Sequence, residues 1–279
     1  FHVGLPLTHD GKDHVARIAN FYISLSEGVI LPRWGANLNW GYGHAVLMFL
    51  YPLPSYMASL FHSVGFSLVD SVKLVFGVSF VLSGFAMFLW LQALLPRTAA
   101  IVGGLLYLYA PYRFVDLYVR GAIGEHVAFI FPPLVLYFLF KLSQKVSFWY
   151  VFGGVCSLAG FILAHNAVSL MFLPFIFFYA LFLLWQSEHK KILLLNSLLV
   201  IFFGFALSAF FWLPAFMEGK YTLRDIVTEG LVTERFVSLP QLFYGPWNYG
   251  QSGEFTVQVG ILQWLSVFLV IPLIWFFRK

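Results

Sequence analysis

The chain has 279 residues, of which 61% are hydrophobic and only 10% charged, with a mean hydropathy of +0.85. Soluble domains carry roughly 25% charged residues, so this composition excludes an ordinary soluble fold and points to a polytopic, all-α transmembrane helical bundle. The net charge of +4 and pI of about 9.1 arise from Lys and Arg in loops, where they orient a membrane protein rather than form a stripe for nucleic acid.

The sequence begins at Phe1, as if within a loop, and ends at Arg278-Lys279 straight after an apolar stretch. A fragment is therefore expected, with a first transmembrane helix upstream. Residues 1–72 read as an extracytoplasmic segment with the densest polar chemistry in the chain: Thr8, His9, Asp10, Lys12, Asp13, His14 and Arg17, followed by Asn20, Glu27 and Pro32-Arg33-Trp34. Asp10, His14 and Arg17 follow i, i+4, i+7 spacing, so a helix beginning near Asp10 places all three on one face. Asp10 or Thr8 is equally suited to be its N-cap. Residues 45–64 are apolar enough to suggest a span, but Pro52 and Pro54 interrupt them. Two short helices lying in the outer interface are expected instead, because prolines break the backbone ladder and unpaired backbone is costly in lipid.

Seven stretches have the length and apolarity of membrane spans: 73–95, 98–112, 126–142, 147–164, 167–186, 192–214 and 256–277. They divide the chain into the outer segment 1–72, a helical body 73–214, an outer loop 215–255 and a last helix within 256–279. Arg97, Lys141 with Lys145, Lys190 with Lys191, and Arg278 with Lys279 occupy four short connections that carry one acid, Glu188. By the positive-inside rule these face the cytoplasm, and the opposite face then holds eleven of the twelve Asp and Glu residues.

On that opposite face, the run from Tyr109 to His126 includes Arg113, Asp116, Arg120, Gly121, Gly124 and Glu125. Arg113 beside aromatic residues fits snorkelling to lipid headgroups. Arg120 and Glu125 flank two glycines at the mouth of the next helix, where a guanidinium and a helix N-terminus suit a phosphate. His165-Asn166 lies between two apolar runs with almost no loop; it reads as a helix cap or as a polar lining of a cavity. Beyond Pro214 come Glu218, Lys220, Glu229, Glu234 and Arg235, then an aromatic and amide run over 243–251 that suits either an interfacial belt or a sugar-binding surface. The sequence contains no P-loop, GxGxxG, GxSxG, zinc-ligand spacing or repeat of fixed period. The single Cys156, within an apolar segment, reads as packing.

Taken in order, Gly28, Pro32-Arg33-Trp34, Gly41-Tyr42-Gly43, Tyr51-Pro52-Leu53-Pro54, Ala110-Pro111-Tyr112-Arg113, Arg120-Gly121-Ala122 with Glu125, His165-Asn166 and Phe211-Trp212-Leu213-Pro214-Ala215 carry a resemblance. The chain, from Thr8 to about Tyr221, resembles bacterial membrane proteins labelled 6-pyruvoyl-tetrahydropterin synthase-related, which belong with the C-type glycosyltransferase fold. Nothing in it resembles a soluble pterin enzyme. The resemblance implies an inverting enzyme of the bacterial cytoplasmic membrane. It would transfer a sugar from a polyprenyl-phosphate carrier to a glycan, lipid or protein acceptor on the extracytoplasmic face, with no nucleotide cofactor. It makes Asp10 the candidate catalytic acid of the first outer loop and Asp13 the runner-up, since Asp13-His14 stands where the broader fold often has Asp-Glu. His14, Arg17, Arg113, Arg120, Glu125, His165, Asn166 and Lys220 become candidates for holding donor or acceptor. A divalent metal fits so many carboxylates, although no octahedral ligand set can be named. Two other classes remain open, a transporter or flippase of lipid-linked glycans and a non-catalytic membrane scaffold. The near absence of charge within the spans weighs against a translocation path.

Overall fold

The computed structural model describes residues 3–222, 236–246 and 256–276. Among these the protein is all-α, and its only β pairing is an isolated bridge between Gly35 and His44. The sequence expectations for Glu229, Glu234, Arg235 and the 247–251 part of the aromatic run lie outside the described residues.

The N-terminal segment forms α1 (Gly11–Ser26), α2 (Val46–Phe49) and α3 (Leu53–Ser63). The prolines act as anticipated: Pro52 stands at the N-cap of α3 and Pro54 in its first turn, where a missing N–H costs nothing. Between α1 and α2 the chain makes a tight loop closed by the Gly35–His44 pair, with Asn39 and Trp40 both at positive φ.

The body comprises α4 (Leu68–Gln92), α5 (Arg97–Leu108), α6 (Pro111–Val115), a π-turn (Asp116–Arg120), α7 (Ile123–Ala128), α8 (Phe131–Gln144), α9 (Phe148–Ala164), α10 (Asn166–Gln186) and α11 (Lys190–Glu218). Two further helices, α12 (Leu239–Phe243) and α13 (Ile261–Phe276), follow. Four helical stretches are long and apolar enough to cross a membrane: Leu68–Gln92, Ile123–Gln144, Asn166–Gln186 and Lys190–Tyr221. Arg97–Leu108, Phe148–Ala164 and Ile261–Val270 are apolar but shorter. All seven anticipated spans thus correspond to helices. The second ends earlier than expected, at Leu108 rather than at residue 112. Pro111 forces the residue before it into an extended conformation, and Ala110 has a ψ of 132°.

Small residues let the long helices approach closely. A side chain at Gly84 of α4 would run into Leu108 of α5, and α9 lays Gly153 and Gly160 against Phe138 and Phe131 of α8. Gly204 of α11 receives Leu158 of α9 in the same way. The outward face of α10 presents Leu170, Met171, Phe175, Phe178 and Trp185 exposed, as a bilayer-facing helix requires. In α11, Pro214 has no N–H for the Phe210 carbonyl, and Arg33 Nη2 donates to that oxygen instead at 3.3 Å, tying the N-terminal segment to the bundle.

Candidate functional site

The site is built on the shortness of α5. Twelve residues rise about 18 Å, well under the roughly 30 Å of a hydrocarbon core, so the chain leaves α5 facing the middle of α4 and must turn within the bundle. The connector 109–122 fills that space. Arg113, expected to snorkel, is instead 2% exposed. Its Nη2 donates to Ser83 Oγ at 2.8 Å, and its guanidinium lies over Phe129 at 4.4 Å and near Phe80 and Tyr107. An arginine this far from water is tolerated because aromatic faces replace part of its hydration. It anchors the connector and does not open onto the site.

After α6 the helix widens into the π-turn, whose last carbonyls receive the N-terminal segment: Val119 O accepts from His9 N at 3.0 Å and Arg120 O from Asp10 N at 2.9 Å. Gly121 then adopts φ +66°, with Thr8 packed where a Cβ would stand. Asp10 therefore sits at the N-cap position of α1, as anticipated, yet its side chain makes no capping bond. Asp10 is partly exposed, and its backbone is paired with that of Arg120.

Arg120, Glu125 and Tyr112 form a closed triangle. Arg120 Nη2 meets Glu125 Oε1 at 2.6 Å, Tyr112 Oη donates to Glu125 Oε2 at 2.6 Å, and Arg120 Nη1 donates to Tyr112 Oη at 2.6 Å. Behind it, Asp116 is fully buried, with Oδ1 3.5 Å from Arg120 Nη1 and Oδ2 3.5 Å from His126 Nδ1.

Tyr51, from the turn before α3, joins the two halves. Its ring stacks on His165 at 4.6 Å and fills the space left by the missing side chain of Gly124. Burial raises the pKa of its hydroxyl, and the charges of Glu125 and Asp10 raise it further, which places both carboxylates around this one phenol. His14 and Arg17 line a small cavity against Tyr51 and Pro52. Burial, with Arg17 beside it, lowers the pKa of His14 to about 4, so the imidazole is neutral at pH 7.

The structure thus gathers Asp10, His14, Arg17, Arg120, Glu125 and His165 around Tyr51. Asp13 is exposed on α1, pairs with Arg17 at 3.8 Å and acts by its charge on His14, but is not among the charges acting on Tyr51. Asn166 accepts from Ala167 N at 2.9 Å and lines a separate cleft, and Lys220 lies over the ring of Tyr221 at the end of α11. That cleft, about 790 Å³, runs between α10 and α11; Ser169, Leu173, Phe211 and Trp212 form its walls, and His44 and Asn166 supply polar atoms. Tyr51, Tyr112, Asp116 and His126 stand in the stretches singled out in the sequence but receive no role at the site from sequence reasoning. Tyr112, Asp116 and Arg120 recur every four residues, which signals one helical face, whereas Tyr51 reaches the site only through tertiary packing. Among the described residues, no group of three His, Cys, Asp or Glu side chains gathers in a way that could hold a metal ion.

An all-α polytopic membrane protein with an ion-pair cluster buried at one end of its bundle is the class these features define. Within that class, the chain belongs to the 6-pyruvoyl-tetrahydropterin synthase related domain family of membrane proteins, whose model matches residues 47–275. It is similar to a protein of Lactococcus lactis subsp. cremoris (strain MG1363) described as an uncharacterized protein, at 28% identity over 233 residues. The match covers 78% of this chain and 37% of that relative's length. No solved structure matches the chain.

Proposed function

We propose that the protein is a membrane glycosyltransferase of the C-type fold that moves a sugar from a polyprenyl-phosphate donor to an acceptor at the extracytoplasmic face of the cytoplasmic membrane. The observation that carries this reading is a partly exposed carboxylate, Asp10, that makes no capping bond, whose backbone N–H pairs with the Arg120 carbonyl and whose charge acts on Tyr51, the ring stacked on His165. Asp10 accepts the proton of the acceptor hydroxyl as its oxygen attacks the anomeric carbon. The carbon–phosphate oxygen bond breaks with inversion, and the polyprenyl phosphate leaves with its charge met by Arg120. Tyr51, His165 and Arg17 supply rings and donors for the sugar, and the separate apolar cleft between α10 and α11, lined by Asn166 next in sequence to His165, offers a hydrocarbon chain a place in the plane of the bilayer.

The concentration of ionisable groups at one end, rather than along a path between helices, favours chemistry over translocation. The test is turnover by the full-length protein in proteoliposomes supplied with undecaprenyl-phosphate sugars and an envelope glycan extract as acceptor. Asp10→Asn lowers kcat by roughly 10²- to 10⁴-fold, the usual contribution of a general base, while Asp13→Asn retains most of it. Equal loss in the two variants would remove Asp10 from its role, and turnover unaffected by Asp10→Asn would remove the reading.

A further inference from the structure

The guanidiniums at the site are already engaged. Arg17 pairs with Asp13 at 3.8 Å, and Arg120 is held by Glu125 at 2.6 Å with Asp116 3.5 Å away. An anion arriving at Arg120 therefore meets a guanidinium already occupied by an acid. Carboxylate and phosphate present the same paired oxygens to arginine, so each can take the other's place.

We propose that Glu125 is an internal stand-in for a lipid phosphate: it occupies Arg120 in the resting protein and is displaced by the donor's phosphodiester and by the polyprenyl phosphate monoester left after transfer, so that it sets the affinity of the site for its anionic ligand. This deepens the glycosyl-transfer reading and rests on it. Three observations support displacement rather than a fixed structural pair. The side chain of Arg120 is 26% exposed, so the approach to it is open, whereas Glu125 is 11% exposed and lies on the inner side. Tyr112 donates to the other oxygen of Glu125, at 2.6 Å, and can retain the carboxylate once Arg120 lets go. The charge of Glu125 also acts on His165, which places an imidazole beside it to receive the released acid. Asp116, wholly buried and 3.5 Å from Arg120 Nη1, stays behind as a second oxygen acceptor that keeps Arg120 in position.

The experiment measures binding of geranylgeranyl phosphate to the full-length protein in detergent, with geranylgeraniol as the uncharged control, for the wild type, Glu125→Gln and Arg120→Gln. Removing the competing charge makes Glu125→Gln bind the phosphate about tenfold more tightly than the wild type, while Arg120→Gln loses the preference for phosphate over alcohol. Glu125→Ala, which likewise removes the competing charge, provides a second variant if Glu125→Gln does not fold, and it too tightens binding. Phosphate affinity that is unchanged or weaker in both variants overturns the stand-in, while the site reading survives if Arg120→Gln still abolishes the preference. If no form, wild type included, prefers the phosphate to the alcohol, both fall.

Discussion

At the N-cap of α1, Asp10 offers a carboxylate that does not cap the helix. A capping acid is worth about 1 kcal/mol, so its removal is felt in stability; an acid retained at that position without the bond is not. Asp10→Asn is accordingly expected to change stability by less than about 0.5 kcal/mol, measured by thermal unfolding in detergent, even as turnover is lost. A large loss of stability would assign Asp10 to the fold instead. His14 gives a pH prediction of definite sign. Its folded pKa of about 4 lies below its unfolded value near 6.5, so the unfolded chain takes up the proton first. The stability that depends on a neutral His14 is complete above pH 6.5 and declines as the pH falls toward 4, by on the order of 3 kcal/mol. His14→Gln should flatten that part of the pH–stability curve, and an unchanged slope would contradict the buried neutral imidazole. At this scale the sequence was informative about Asp10, His14 and Arg17, because i, i+4, i+7 spacing is a local property. It was misleading about Arg113, since nothing local announces that Ser83, Phe80 and Phe129 enclose its guanidinium.

Among the elements, the connector between α5 and α7 determines whether a site exists at all. Aromatic residues continue past Leu108, so hydropathy alone extends the second span to residue 112, and only Pro111 marks the true end. The π-turn that follows is not legible in composition, because it depends on Gly121 closing behind it and on Thr8 packing into the space that glycine leaves. Gly121→Ala should therefore cost about 1–3 kcal/mol through its φ of +66° and displace Thr8. Faster hydrogen exchange at the His9 and Asp10 amides, which donate to Val119 and Arg120, would report the lost docking; unchanged protection would show that the loop is held elsewhere. Arg113→Met tests the anchor. It leaves Ser83 without its donor and the aromatic cage without its cation, and is expected to destabilise the protein by about 1–3 kcal/mol in thermal unfolding. A neutral result would mean the connector is held by α6 and the π-turn alone.

For the molecule as a whole, alternation of apolar segments with basic and acidic connections was readable because membrane insertion depends on sums over many residues rather than on single contacts. The convergence of residues as distant as Asp10, Tyr51, Arg120 and His165 was not, since it follows from how the N-terminal helices dock over the end of the bundle. That docking pairs the backbone of Asp10 with that of Arg120 and sets Tyr51 on His165. The most direct measurement follows a polyprenyl-phosphate sugar labelled in the sugar, in proteoliposomes of the full-length protein, and asks whether the label leaves its phosphate or only changes leaflet. The account predicts release of polyprenyl phosphate and transfer of the label, abolished in Asp10→Asn. Label that crosses the bilayer while still joined to its phosphate, equally in the wild type and in that variant, would contradict it.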